Sequence, residues 1–442
     1  MSSGRKIEQV VKAAGVVVRD EGAGTITGHH GEELEIGRVR AREAKREIEL
    51  YGEPEIIEGR HLHVAPDADV VAFWLRGRKV YPYNKVDLLI DGEQTFPAML
   101  EAMAEAKRSI VFESYIFASD ATGQRFLDVL IARARADVSV RIMVDGVGSW
   151  ATDPNFWKPL IEAGGRVEYY QPIQPWRRRW GIWRRNHRKI LVIDDVVGFI
   201  GGINIGDDYA PTSWGGKAWH DVHARVEGPV VRELVRLFNR GWRNMTGEHW
   251  NGSIAHAQRR GSTTLQVLES ALTRRYSVRR AYLRAIRKAS RTIRICNAYC
   301  IPDRHFRHAL RDAVRRGVTV QLLVAGKTDV VAVRYASRAL YARLMAWGIE
   351  VYEWTDRVLH AKTAVIDGEW CTIGSYNIDA RSLLHNLEAN IACVDKRLGA
   401  AMDQTFERDI AKSVRIDRAT WHRRPIAEKI VESIFFALRI LL

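Results

Sequence analysis

Apolar positions along this chain follow two rhythms, short β-branched runs and stripes recurring every three to four residues, and the whole series runs twice. Residues 109–117 read as a strand and parallel 292–300, and each is preceded by an amphipathic stretch, at 98–107 and 278–289. Helical periodicity follows at 123–136 and 305–316, then strands at 139–144 and 319–324. Helix-and-strand pairs close each series at 167–170 and 350–353. This alternation predicts an α/β protein of two related α/β/α lobes, each with a central mixed β-sheet and helices outside it. Lobes facing each other across a pseudo-twofold would unite their strand ends in one active-site cleft.

The first lobe is expected over 85–250 and the second over 265–423, with the polar stretch 251–264 as linker. Residues 1–84 stand apart as an extension with a charge-dense helical pattern at 31–51 and no visible chemistry. At 424–442, Glu428, Glu432 and Arg439 share one side of a helical wheel and Ile430, Ile434, Ala437, Leu438 and Leu441 the other. That pattern fits a membrane-associated helix in the bilayer interface, or a helix packed on the second lobe or in a dimer contact.

Just after each series comes a short repeated pattern. His187-Arg-Lys189 runs through Ile-Leu-Val-Ile to Asp194, and His360-Ala-Lys362 through Thr-Ala-Val-Ile to Asp367. Six residues further on stand Gly201-Gly202-Ile203-Asn204 and Gly374-Ser375-Tyr376-Asn377. On a strand, residues two apart share a face, so each copy delivers one imidazole and one ammonium to the same side. Asp194 and Asp367 fall at odd spacing, at the strand end, where a structural hydrogen-bonding role is expected. Two ammonium groups and two Asn amides suit the anionic oxygens of a phosphate diester. Two imidazoles can divide the work of nucleophile and acid, since an ordinary His pKa near 6.5 permits either form. Each needs a carboxylate on its far ring nitrogen, and Asp221 and Glu388 lie downstream in the two halves.

The doubled H-x-K-x-x-x-x-D with G-[GS]-x-N resembles the phospholipase D superfamily. The segment from Asn377 through Arg381, Ser382 and Asn386 to Glu388, with 112–117, resembles the short bacterial cardiolipin synthases that lack two amino-terminal membrane helices. The likeness spans about residues 87–424. It implies a catalytic set of His187, Lys189, Asp194, His360, Lys362 and Asp367, with Asn204, Asp221, Asn377 and Glu388 binding substrate or orienting the imidazoles. It also implies a phosphohistidine intermediate, no metal or cofactor, and His187 as nucleophile. The expected reaction joins two phosphatidylglycerol molecules into cardiolipin and glycerol. Hydrolysis by a phospholipase D, transfer to another alcohol, and metal-independent nuclease activity are the alternatives. Gly202 departs from the commoner Ser, so the two phosphate contacts need not be equivalent.

Composition narrows the partners. A net charge of +15 and a pI near 9.7 favour a polyanion, either nucleic acid or an anionic bilayer face. Trp176, Trp180 and Trp183 amid Arg177, Arg178, Arg179, Arg184 and Arg185 suit an interfacial anchor, a basic loop over the cleft, or base stacking. With the family likeness, the expectation is an anionic phospholipid substrate at the membrane surface and no nucleic acid, on the bacterial inner membrane, peripherally bound. No signal-like or membrane-spanning apolar run is present. The four Cys lack C-x-x-C spacing and read as buried free thiols, and the paired histidines, His220 and His223 among them, as surface groups rather than metal ligands. Oligomeric state is not encoded in any of these patterns.

Overall fold

The computed structural model of the protein describes residues 68–75, 79–172, 184–248, 258–271 and 277–441. The first half of the chain supplies strands β1 (Tyr81–Ile90), β2 (Ser109–Ser114), β3 (Ser139–Asp145), β4 (Arg166–Tyr170), β5 (Ile190–Ile193), β6 (Val197–Gly201) and β7 (Val222–Glu227). The second supplies β8 (Thr263–Ser270), β9 (Thr292–Asn297), β10 (Thr319–Ala325), β11 (Glu350–Trp354), β12 (Lys362–Ile366), β13 (Trp370–Gly374), β14 (Glu388–Val394) and β15 (Ser413–Arg415). They form one sheet in the order β15-β11-β10-β9-β12-β13-β14-β8-β1-β7-β6-β5-β2-β3-β4. Outward from the β8–β1 seam, the halves run 8-14-13-12-9-10-11 and 1-7-6-5-2-3-4, the same order twice, with β15 added at one edge. The two sheets are thus halves of a single one, joined where β1 pairs antiparallel with β8.

Within each half, β2–β3–β4 and β9–β10–β11 are parallel, while β5 and β12 run antiparallel to β2 and β9. Strands with both faces covered read as unbroken apolar runs. In β5, Ile190 and Val192 enter one apolar cluster and Leu191 and Ile193 another. Helices Ala121–Arg135 and Arg304–Arg315 occupy equivalent places and start the same way. Asp120 accepts from the Gly123 N–H at 2.8 Å, and Asp303 from the His305 and Phe306 N–H at 2.8 and 3.2 Å. Their buried stripes are Phe126, Leu127, Leu130 and Ala134, and Phe306, Ala309, Leu310 and Ala313. Each buried Phe or Leu there contributes about 1.5–3 kcal/mol. Helices Val231–Thr246 and Lys396–Ala411 contribute Leu237, Phe238, Met402 and Phe406 to one cluster drawn from both halves.

Two boundaries differ from expectation. The division at residue 84 falls inside β1, and the preceding helix Ala68–Trp74 is part of the body. Trp74 and Leu75 are buried in the second lobe's core, and the Trp74 indole N–H donates to Glu369 at 3.1 Å. The linker at 251–264 overlaps β8 by two residues, Thr263 and Thr264. The patterns at 31–51 and Trp176–Trp183 and the first half of the linker, 251–257, lie outside the described residues. All four Cys are buried and free.

Helix Ile426–Ala437 packs against helix Val331–Arg338, with Phe435 stacked on Tyr335 at 5.7 Å. Its Glu432 points inward, 3% exposed, and accepts from Arg424 at 3.0 Å. Its Ile426, Ile430 and Ile434 point outward, 74%, 54% and 54% exposed. No helix among the described residues is long and apolar enough to cross a membrane.

Candidate active site

The polar residues of the repeated pattern gather at one end of the sheet because of strand direction. His187 precedes β5 and Asp221 precedes β7, which run parallel to each other on either side of β6. His360 precedes β12, and Glu388 opens β14, in the same relation. Within one lobe the imidazole and the carboxylate are therefore two strands apart, roughly 10 Å, too far for a hydrogen bond.

The other lobe closes that gap. Isolated parallel bridges join Asn186 to Leu387 and His220 to Leu359. In the first, the His187 N–H donates to the Leu387 carbonyl at 2.9 Å and the Leu387 N–H to the Arg185 carbonyl at 2.8 Å. In the second, the His360 N–H donates to the His220 carbonyl at 2.7 Å and the His220 N–H to the Val358 carbonyl at 2.8 Å. Each bridge sets a His beside the carboxylate of the opposite lobe. His187 Nδ1 lies 3.0 and 3.1 Å from the two Glu388 oxygens, and His360 Nδ1 lies 2.7 Å from Asp221 Oδ2. Neither Nε2 has a hydrogen-bond partner among the described residues.

The ammonium groups flank these pairs. Lys189 donates to the His187 carbonyl at 2.7 Å and sits 5.2 Å over the Tyr115 ring, which also meets the His187 ring edge-on at 5.0 Å. Lys362 donates to the His360 carbonyl and lies 2.9 Å from His360 Nδ1. Glu388 is also fixed by donors from Ser375 at 2.5 Å, Ser382 at 2.7 Å and Asn386 at 3.2 Å. Ser375 thus serves the carboxylate. At the equivalent Gly202, a Cβ would sit 2.2 Å from Asp221 Oδ1, so Ser is excluded by the carboxylate itself.

The two Asn residues differ. Asn204 donates to the Tyr209 hydroxyl at 2.8 Å and accepts from the Ile116 N–H at 3.2 Å, and that hydroxyl lies 3.3 Å from His360 Nδ1. Asn377 is buried with its side-chain oxygen unpartnered. Tyr209 was not singled out by the sequence, since a lone Tyr after a glycine-rich turn carries no distinguishing pattern.

Asp194 and Asp367 are not part of this cluster, which corrects their inclusion in the catalytic set. Each lies seven residues beyond its His, at the far end of the strand, roughly 20 Å away. Asp194 accepts from the N–H groups of Lys107, Arg108 and Ser109 at 2.7–2.8 Å, and Asp367 from those of Ser290, Arg291 and Thr292 at 2.8 Å. Both are left-handed, with φ of 53° and 54°, a conformation that Asp tolerates at such turns. A second correction concerns His220 and His223, expected at the surface: both are buried.

Burial governs the electrostatics. It lowers the pKa of His187, aided by Lys189 and opposed by Glu388, and lowers that of His360 well below 6.5, aided by Lys362. Lys189 is lowered by burial to about 7, and Lys362 is also lowered. Burial pushes Asp221 up to about 6, whereas Glu388, for which burial works upward, is held below its ordinary value chiefly by His187. Burial thus works against the cationic form of both imidazoles, and each is hydrogen-bonded through Nδ1 to a carboxylate of the other lobe. An incoming phosphodiester anion would favour the protonated forms of both Lys and of one His.

The model of the family "Cardiolipin synthase, PLD-like domain" matches residues 99–242 and 282–410. Cardiolipin synthase B of Escherichia coli K12 is 36% identical over 339 residues, covering 74% of this chain and 81% of its own length. A cardiolipin synthase of a Geobacillus species is 33% identical over 354 residues, covering 78% and 70%. Among solved structures, the phosphatidylserine synthase of Haemophilus influenzae superposes with a TM-score of 0.61 at 14% identity, covering 81% of this chain and 95% of that one. The fold is therefore that of a two-lobed phospholipase D-type protein. Within that class, the chain belongs to the cardiolipin synthase family with a phospholipase D-like domain.

Proposed function

We propose that this protein is a cardiolipin synthase that transfers a phosphatidyl group between two phosphatidylglycerol molecules through a phosphohistidine. His187 Nε2 attacks the phosphorus of the first lipid, the bond from phosphorus to the glycerol oxygen breaks, and His360 gives that oxygen its proton. The headgroup hydroxyl of the second lipid then returns a proton to His360 and attacks the same phosphorus, releasing cardiolipin and restoring His187. Lys189 and Lys362, with Asn377, hold the non-bridging oxygens while charge develops on them. Glu388 fixes the His187 tautomer and Asp221 that of His360. Two hydrogen-bonded His–carboxylate pairs from opposite lobes are the observation that carries this reading.

The nucleophile is assigned to His187 as the family likeness implies, and Glu388, fixed also by Ser375, Ser382 and Asn386, lies against its Nδ1, where a carboxylate stabilises the cationic imidazole of a phosphohistidine. Access to lipid is assigned to helix Ile426–Ala437, which buries its Glu432 against Arg424 and turns Ile426, Ile430 and Ile434 to the outside. A water-facing helix would show the reverse arrangement. Together with the net charge of +15, this supports peripheral binding to an anionic membrane, in bacteria the inner one.

The test uses the full chain with phosphatidylglycerol vesicles and, separately, supercoiled plasmid. Cardiolipin plus glycerol, absent for His187→Ala and His360→Ala, is the expected result. Phosphatidic acid as sole product would replace the reading with hydrolysis, and nicked plasmid without lipid turnover with nuclease activity.

A further inference from the structure

The second bridge carries a structure that its counterpart lacks. His220 precedes Asp221, and its imidazole is buried between carboxylates of the two lobes. Nδ1 lies 2.7 Å from Asp91 Oδ1 and Nε2 3.1 Å from Asp409 Oδ2. The ring stacks on Trp354, with centroids 4.7 Å apart and planes at 21°. Asp91 begins the helix Asp91–Ala104 and accepts from the Asp221 N–H at 3.0 Å, and its own N–H donates to the Asp221 carbonyl at 2.8 Å. Arg357 of the second lobe holds the other Asp91 oxygen at 2.7 Å. The equivalent position before Glu388 is Leu387, which offers no such bonds.

From this clasp we infer that His220 is a positioning residue for the Asp221–His360 pair and not for His187. Its side chain is held by Asp91, Asp409 and Trp354, and its carbonyl accepts from the His360 N–H. The next residue, Asp221, points the opposite way and reaches His360 Nδ1 at 2.7 Å. A shift of His220 would therefore move backbone and carboxylate together with respect to the ring that handles the proton. The surroundings favour a charged ring: burial alone would lower its pKa, but the bonds to Asp409 and Asp91 push it up to about 9. A cation between two carboxylates of different lobes resists the displacement that a neutral, apolar contact would allow.

This inference rests on the proposed roles of His187 and His360, and its test separates them by leaving group. Release of glycerol needs a proton from His360, whereas release of p-nitrophenolate needs none, because that anion is already a stable leaving group. With phosphatidylglycerol, His220→Gln is expected to lower kcat about 10- to 100-fold and to leave KM within about two-fold. With phosphatidyl-p-nitrophenol, the initial burst of one p-nitrophenolate per site should keep its rate, followed by slow turnover. A variant that slows burst and turnover alike overturns the inference, as does a rise in KM with kcat unchanged. If His220→Gln does not fold, Asp409→Asn, which keeps size and removes one charge, is read by the same two measurements with the same criteria. A wild-type protein that makes no cardiolipin refutes the functional reading instead, and the burst comparison still decides the positioning role.

Discussion

At the scale of residues, Asp221 and Glu388 each act on the imidazole of the other lobe. Asp221→Asn or Glu388→Gln should lower kcat about 10²- to 10⁴-fold with little change in folding, measured as cardiolipin formed per minute. Lys189, lowered by burial to about 7, sets a second expectation. As pH rises through about 7 the free enzyme loses that ammonium proton and its hold on the phosphate, so kcat/KM should fall on the alkaline side. The limb would be absent from the residual activity of Lys189→Met. The imidazoles and ammonium groups were legible in the sequence because their spacing is local. The crossing of the carboxylates was not, because it depends on two strands of separation within a lobe and on bridges between lobes. His220 was misread as a surface group for a related reason: its buried ring is marked by its partners, and Asp91 and Asp409 lie 129 and 189 residues away from it.

At the scale of elements, the turns after β5 and β12 are held by Asp194 and Asp367, whose carboxylates gather N–H groups from the loops before β2 and β9. Asp367→Ala should cost about 1–3 kcal/mol in urea unfolding, from lost acceptors and a left-handed φ that Ala disfavours. Asp367→Asn, which tolerates that φ and keeps one acceptor, should cost less. The helix Ile426–Ala437 gives a further test. Ile430→Asp with Ile434→Asp should move the protein from the vesicle pellet to the supernatant, and unchanged sedimentation would remove that helix from the membrane contact. Strands β2, β3, β5 and their repeats stood out as short β-branched apolar runs, broken only singly by residues such as Arg141, Arg294 and Gln321. Strands β7 and β14 did not, because β7 carries buried His223 and half-buried Arg225, and β14 buries Asn390 against Thr372.

At the scale of the whole molecule, the buried imidazolium of His220 ties stability to pH. Its pKa is raised to about 9 from an ordinary value of 6.5, so its contribution is complete below about 6.5 and is lost as pH climbs from there through about 9. The loss amounts to roughly 3 kcal/mol, and the stability gap between wild type and His220→Gln, followed by urea unfolding, should shrink across that range. A flat gap would mean that the ring is neutral. The doubled strand order was foreshadowed by the repeated sequence pattern, but the single seam at β1 and β8 was not, since the expected boundaries at 84 and 264 cut through both strands. The two backbone bridges have a consequence for divergence. Positions 186 and 387, and 220 and 359, touch across the halves, so neither repeat is free to drift by itself. Among descendants of a duplicated ancestor, changes at one member of each couple should be answered at the other, and a hybrid assembled from halves of distant relatives should fold yet turn over slowly.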